Sequence, residues 1–442
     1  MAGFLTRDTK NASLENHYAD LSIGLEEEML LVNEANDDIA AAEEEVEQVE
    51  AAENVVVAAD QTADLIEKNN GEVDEAGVIA VDNLMTAANN ISSDDGVNNP
   101  GDPLNESDTE KLIPVVESSG KFYVSIESFR ETFAKIKKKI LEIVASIWKR
   151  IKEAYRKYFG AYTSLIKRGN ELATRADNMS GRTIDSEHRT FEITSGFQYL
   201  CIGDSQPTTS VAGITNAFAK IKILSNKSAV LSKLETLGKD ISEKIKGADF
   251  GDVGEMNKGV GELTQVITTY TKAVDSSQIK GDFIGQTISK VDVPTGNGAA
   301  AGVDKLNLLL QQRWKLEEGN VKLKDSYKFT TMTTTEVKKA AEEVSQLAKD
   351  LKGYETGMDK LEKYQKDIAA ATNVLEGKAN KVESDEDNKI TGLASAYNAI
   401  VRSNTYFANQ VTTLAKALKI STNAMQNILY WGSKSLDLHK SK

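Results

Sequence analysis

Ten cations crowd one short stretch of the chain: Arg130, Lys135, Lys137, Lys138, Lys139, Lys149, Arg150, Lys152, Arg156 and Lys157. Cations gathered on one stripe neutralise phosphates and release their counterions, which gives affinity for a polyanion without sequence readout. Between them, apolar residues fall at steps of three or four: Phe129, Phe133, Ile136, Ile140, Ile143, Ile147, Ile151, Tyr155 and Tyr158. That spacing predicts an amphipathic helix with its apolar face toward a core. Gly160 is expected to cap it, with Arg156 and Lys157 in the last turn, where cations suit the helix dipole. Helix is expected to resume over 161–177.

Three readings of this helix stand side by side. Its basic face can simply be solvated. It can contact nucleic acid, with double-stranded DNA bound non-specifically; contacts to about 6–10 phosphates would cost on the order of 10³–10⁵ in affinity between ~50 and ~200 mM salt. Or it can lie on a membrane surface, since Trp148, Tyr155, Tyr158, Phe159 and Tyr162 give it the composition of an interfacial helix. Binding to vesicles and to DNA over a salt series separates the last two.

Other chemistry is thinly represented. His17, His188 and His439 are far apart and give no metal-ligand spacing. Cys201 is the single cysteine, so no intrachain disulfide can form, and its apolar setting suits a buried structural role. The glycines of 251–261 lack the Lys-Ser/Thr ending of a phosphate-binding loop and read as a plain loop. Asp94-Asp95-Gly96 and Ser384-Asp385-Glu386-Asp387 lack the ligand pattern of a calcium loop. No cofactor, metal or enzymatic activity is expected. The alternatives are a membrane-active or ejected protein that uses the basic helix on a lipid bilayer and, behind it, a nucleic-acid-processing enzyme within 179–442.

The elements that carry the basic helix are set by a break in charge. Residues 1–127 hold 30 acidic and 5 basic side chains, a net of −25; residues 128–442 carry a net of +11. Ser125-Ile126-Glu127-Ser128 lies at the seam. A chain so divided changes sign if its leader is removed, which bears on association and solubility. The leader is rich in helix formers over 25–64, but clustered carboxylates make an isolated helix there marginal. Residues 89–109 read as a loop. The chain opens without the apolar stretch of a secretory signal, and no run of about 18 apolar residues suggests a membrane span.

The expected organisation is an acidic, propeptide-like and loosely ordered leader over 1–127, a basic helical segment over 128–178 and a body over 179–442. The fold class is α+β, mainly helical: a helical bundle with a small antiparallel sheet. A hairpin is expected around Gly196 within 189–202, strands over 283–293 and 327–332, and helices over 211–246, 303–318, 335–352, 357–381 and 389–430. Thr333 and Glu336 form a capping-box signature.

In layout the chain resembles the internal head proteins of large tailed phages, the phiKZ-like giant phages especially. The resemblance rests on an acidic Ala/Glu-rich leader, a small-x-Glu site at Ser125-Ile126-Glu127, and the helix from Phe129 through Ile147-Trp148-Lys149-Arg150. It covers roughly residues 1–175. It implies a noncatalytic virion protein made in the host cytoplasm and matured inside the head. A prohead protease would cut after Glu127, and the basic mature form would meet packaged DNA, the capsid and other internal head proteins. The same small-x-Glu pattern recurs at Ser13-Leu14-Glu15, Gly24-Leu25-Glu26, Ala41-Ala42-Glu43 and Ala51-Ala52-Glu53, but only Glu127 divides the two charge regimes.

Overall fold

A computed structural model describes residues 35–93 (save 36, 60, 64, 65, 67, 68, 70 and 71), 115–116, 122–123 and 126–439, apart from 228–229, 248–252, 276–280, 291–301, 319–320 and 384–392. Of the expected leader loop over 89–109, residues 89–93 are helical instead and the rest lie outside the described residues. Residues 37–59 are helical (α1). The other helices are α2 (Glu75–Ser93), α3 (Ile126–Asn178), α4 (Val211–Ser225), α5 (Leu231–Gly247), α6 (Val253–Asp275), α7 (Gly302–Gln311), α8 (Thr334–Lys352), α9 (Glu355–Glu383) and α10 (Leu393–Asp437). Strands are short. β1 (Glu72–Val73), β2 (Val115–Val116) and β3 (Phe122–Tyr123) pair antiparallel in the order β1-β3-β2. β4 (Thr190–Ile193) pairs with β8 (Tyr327–Thr330), and β5 (Gly281–Phe283), β6 (Gln286–Lys290) and β7 (Trp314–Glu318) form a third sheet. All pairings are antiparallel. The expected class holds: a mainly helical bundle with small antiparallel sheets.

The basic helix α3 is the spine. Its apolar stripe is buried from Ile136 through Ile140, Ile143, Ile147 and Ile151 to Tyr158. It packs lengthwise on α8 and α10. Against α8 it runs antiparallel: Lys352 Nζ lies 2.8 Å from Thr163 Oγ1, and Lys338 Nζ 2.8 Å from Asp177 Oδ1. The helices touch closely at Gly169, where a Cβ would stand 2.7 Å from the Ala341 carbonyl oxygen. Against α10 it runs parallel. Trp148 packs on Phe407 with ring centroids 5.4 Å apart, Thr422 donates to the Tyr162 hydroxyl at 3.3 Å, and Arg175 meets Asp437 at 2.6 Å.

Several local expectations are revised. Gly160 does not cap α3; the helix runs through it, and the glycine faces open space. A glycine inside a helix costs about 1 kcal/mol relative to alanine. Buried Tyr158, Phe159, Tyr162 and Leu165 on either side outweigh that by packing. The hairpin around Gly196 is replaced by one strand, β4, whose partner is the distant β8. Gly196 takes a left-handed φ of 78° and turns the chain into a 3-10 turn that buries Phe197 and Leu200. The glycines from 254 to 261 belong to α6, because Met256, Val260, Leu263 and Ile267 form a buried stripe at helical spacing. The helix expected over 303–318 ends at Gln311. Trp314 and Leu316 alternate inward instead, the period of a strand, and pair with β6. The segment 211–246 is two helices. The Thr333 capping box is present, with Thr333 N–H donating to Glu336 Oε2 at 2.8 Å and Glu336 N–H to Thr333 Oγ1 at 3.3 Å.

Candidate functional site: two charged helices in register

The acidic helix owes its position to a pattern of small apolar residues. Ala35, Ala42, Val49, Val56 and Ala63 recur every seventh residue, as do Ile39 and Val46, and Ala52, Ala59 and Ile66; all are buried. A seven-residue repeat of this kind keeps one seam of a helix facing its neighbours, with charges on the flanks to set register. Small side chains let the backbones approach.

Both flanks are charged, and each meets a different helix. On one side, Asp38 Oδ2 lies 2.9 Å from Lys157 Nζ, and Glu45 Oε1 lies 2.9 Å from Arg150 Nε and accepts from Ser146 at 2.9 Å. The acids are seven residues apart, and so are their partners on α3, in reverse order. On the other side, Glu43 Oε1 lies 3.0 Å from Lys416 Nζ, and Asn409 donates to Glu50 Oε1 at 2.6 Å. Here again acids and partners step by seven in opposite directions. The acidic helix therefore runs antiparallel to both α3 and α10 and bridges them. Arg313 also pairs with Glu50.

Glu53 departs from the pattern. It occupies the seam position shared by Ile39 and Val46, yet it is a carboxylate, and it is buried. Arg402 Nε meets it at 3.3 Å, and Arg402 also donates to Asn307 Oδ1 at 3.0 Å. Burial pushes the Glu53 carboxyl upward against the pull of Arg402. Burial likewise raises Glu50 to about 7, with Arg313 lowering it and Glu53 raising it further. A buried ion pair at a seam position is a device for fixing register more than a source of stability.

The ten cations named from sequence meet different fates. Arg150 and Lys157 are held by the acidic helix. Lys152 Nζ sits 2.6 Å from Glu362 Oε1 on α9, whose carboxyl it lowers by hydrogen bonding. Lys138, Lys149 and Arg156 are exposed, and Lys137 and Lys139 are half-buried. At 3.6 residues per turn, the three exposed cations lie within about 20° of one line along α3 and span about 27 Å. Glu142 is exposed close to that line. The side chains of Arg130 and Lys135 lie outside the described residues. At the seam in charge, Ser125 is outside as well, and Ile126, Glu127 and Ser128 are the first residues of α3, with side chains outside the description. Trp148, Tyr155, Tyr158, Phe159 and Tyr162 are buried, not turned toward solvent. Burial lifts the phenols of Tyr155, Tyr158 and Tyr162 well above their usual range. Cys201 is buried too; its thiol donates to the Phe197 carbonyl over 3.7 Å and is pushed up to about 11 by burial.

Arg313, Arg402, Asn409 and Lys416 are the functional partners that reading the sequence missed. Two signals point to them: the seven-residue repeat of small residues in the leader, and the same step from Arg402 through Asn409 to Lys416.

Among the described residues, no group of three or more His, Cys, Asp or Glu side chains is placed to hold a metal, and no helix is long and apolar enough to cross a membrane. Compared with known families, residues 26–422 match the phiKZ-like phage internal head proteins, acidic helix and body together. The chain belongs to that family: it is a structural protein of the phage head, housed inside the virion among other head components. No curated protein and no solved structure matches it.

Proposed function

We propose that this internal head protein is made as a precursor, cut by a prohead protease between Glu127 and Ser128, and that its basic remainder associates with packaged double-stranded DNA. One observation supports the reading above others: the opposite charges divided at Glu127 are paired in register, acid on cation, along the helices on either side of it. Removing the leader takes away the carboxylates on Arg150, Lys157 and Lys416. The proposed bond falls in the first turn of α3, at an end of the kind that frays. The released charge is non-specific in kind, suited to phosphates and not to base edges. The bilayer reading has no comparable support, because its aromatic side chains are in the core.

The test is the mass and N-terminal sequence of the protein in mature particles. A chain beginning at Ser128 is expected. A full-length chain, or a start elsewhere, refutes the site. Glu127→Ala should leave the precursor uncut; normal processing of that variant would place the scissile bond elsewhere.

A further inference from the structure

We infer that the acidic helix is held on the body by its own contact surface and not by the peptide link, so that one cut at Glu127 leaves it seated as a noncovalent subunit over Arg150, Lys157 and Lys416. The inference rests on the processing reading for its biological setting, and on the geometry alone for its physics. The described seam residues run from Ala35 to Ile66, with Ile39, Val49, Val56 and Ile66 buried in the same core as α3 and α10. Ion pairs to two separate helices flank it, and the Glu53–Arg402 pair is sealed within it. Departure of the helix would leave Arg402 without its carboxylate and open an apolar groove to water, and neither cost involves the bond between residues 127 and 128. Linkage raises only the effective concentration of one surface near the other.

Two consequences follow. First, neither the net charge of the complex nor the covering of its polyanion-facing cations changes at the cut; both wait on loss of the helix. Second, two further small-x-Glu sequences, Ala41-Ala42-Glu43 and Ala51-Ala52-Glu53, lie inside the docked helix with Ala42 and Ala52 fully buried and their glutamates in ion pairs. Any cut there requires the helix to leave its groove or unfold locally. The helix is thus an occluding element that outlasts the first cut.

The experiment uses the full chain with a site-specific protease recognition sequence between residues 127 and 128, cut while folded and passed over a sizing column. The leader fragment is expected to co-elute with the body at ~0.15 M and at ~1 M salt, where exposed charges are screened but the apolar seam is not. Separation at either salt overturns the inference. Carrying Val49→Asp and Val56→Asp together, the cut chain should release its fragment; co-elution of that variant also overturns it, because the seam would then not be what holds the helix. DNA retention gives a second readout. The cut wild-type chain should bind no more tightly than the uncut one, whereas the variant freed of its fragment should gain about tenfold or more, with a steeper salt dependence. A tenfold gain by cut wild-type chain with its fragment still bound overturns the occlusion. Co-elution stands or falls independently of DNA: a virion N-terminus away from Ser128 would refute the processing reading and leave the docking result intact.

Discussion

The acidic and basic helices are built to the same plan and do different work. Each has one apolar seam and flanks on which one sign of charge predominates. The seam of the basic helix is Ile, Trp and Tyr, and it touches α8, α9 and α10. The seam of the acidic helix is mostly Ala and Val, and its hydrogen bonds and ion pairs reach α3, α10 and Arg313. Large side chains at the centre of a bundle carry its cooperative stability, because each buries more area and leaves a larger cavity when removed. Small ones make a close but shallower contact. The difference separates a spine from an attachment, and charge at seven-residue steps sets how the attachment lies.

The sharpest way to break that comparison is at the spine. Trp148→Ala, which removes the ring packed on Phe407, is expected to cost about 3–5 kcal/mol of global stability, read from denaturant unfolding. A loss below about 1 kcal/mol would show that the Trp148 contact does not carry the stability of a spine. Next comes Arg402→Ala, which strands Glu53 in the seam. It should cost about 3 kcal/mol, concentrated in docking of the acidic helix, and hydrogen exchange should rise over 37–59 before it rises in α3. Uniform loss of protection across the bundle would mean that the acidic helix is part of the spine.

A smaller effect sharpens the comparison through pH. Glu50 sits at about 7 in the folded chain against an ordinary value of 4.5, so the docked state holds its proton more tightly than the undocked one. Its contribution is fully present below about 4.5 and is lost as pH rises through about 7. Exchange protection of 37–59 should therefore fall between pH 5 and 8, and Glu50→Gln should flatten that dependence. The smallest change in stability is expected from Lys149→Ala on the exposed line of α3: within about 0.5 kcal/mol. Once the leader has gone, the same variant should reduce the salt slope of DNA binding by about 1. An unchanged slope would remove Lys149 from the DNA-facing set.

Much of the bundle was legible in the sequence. The stripe from Ile136 to Tyr158, the Thr333 capping box and the long C-terminal helix are local patterns, and a period of three to four residues states them directly. The errors came where tertiary contacts overrode local preference. Gly160 stays helical because its neighbours are buried. The 254–261 glycines stay helical because Met256 and Val260 reach the core. Trp314–Glu318 is extended because β6 offers an edge to pair with. The candidate site was half legible. The cations and the seam at Glu127 stood out, whereas the partners of those cations lie more than 100 residues away and could be found only by matching one seven-residue repeat against another.

Sequence alone determined the division of charge, the helical class and which residues repeat along each helix, because these follow from residue type and spacing on a single strand of chain. Only the tertiary structure decided that the two charged regions face one another, that polar Arg402 and Asn409 are interior, and that the acidic helix fills a groove between α3 and α10. Those outcomes depend on which surfaces can exclude water together, and that is a property of pairs of elements, not of any one of them.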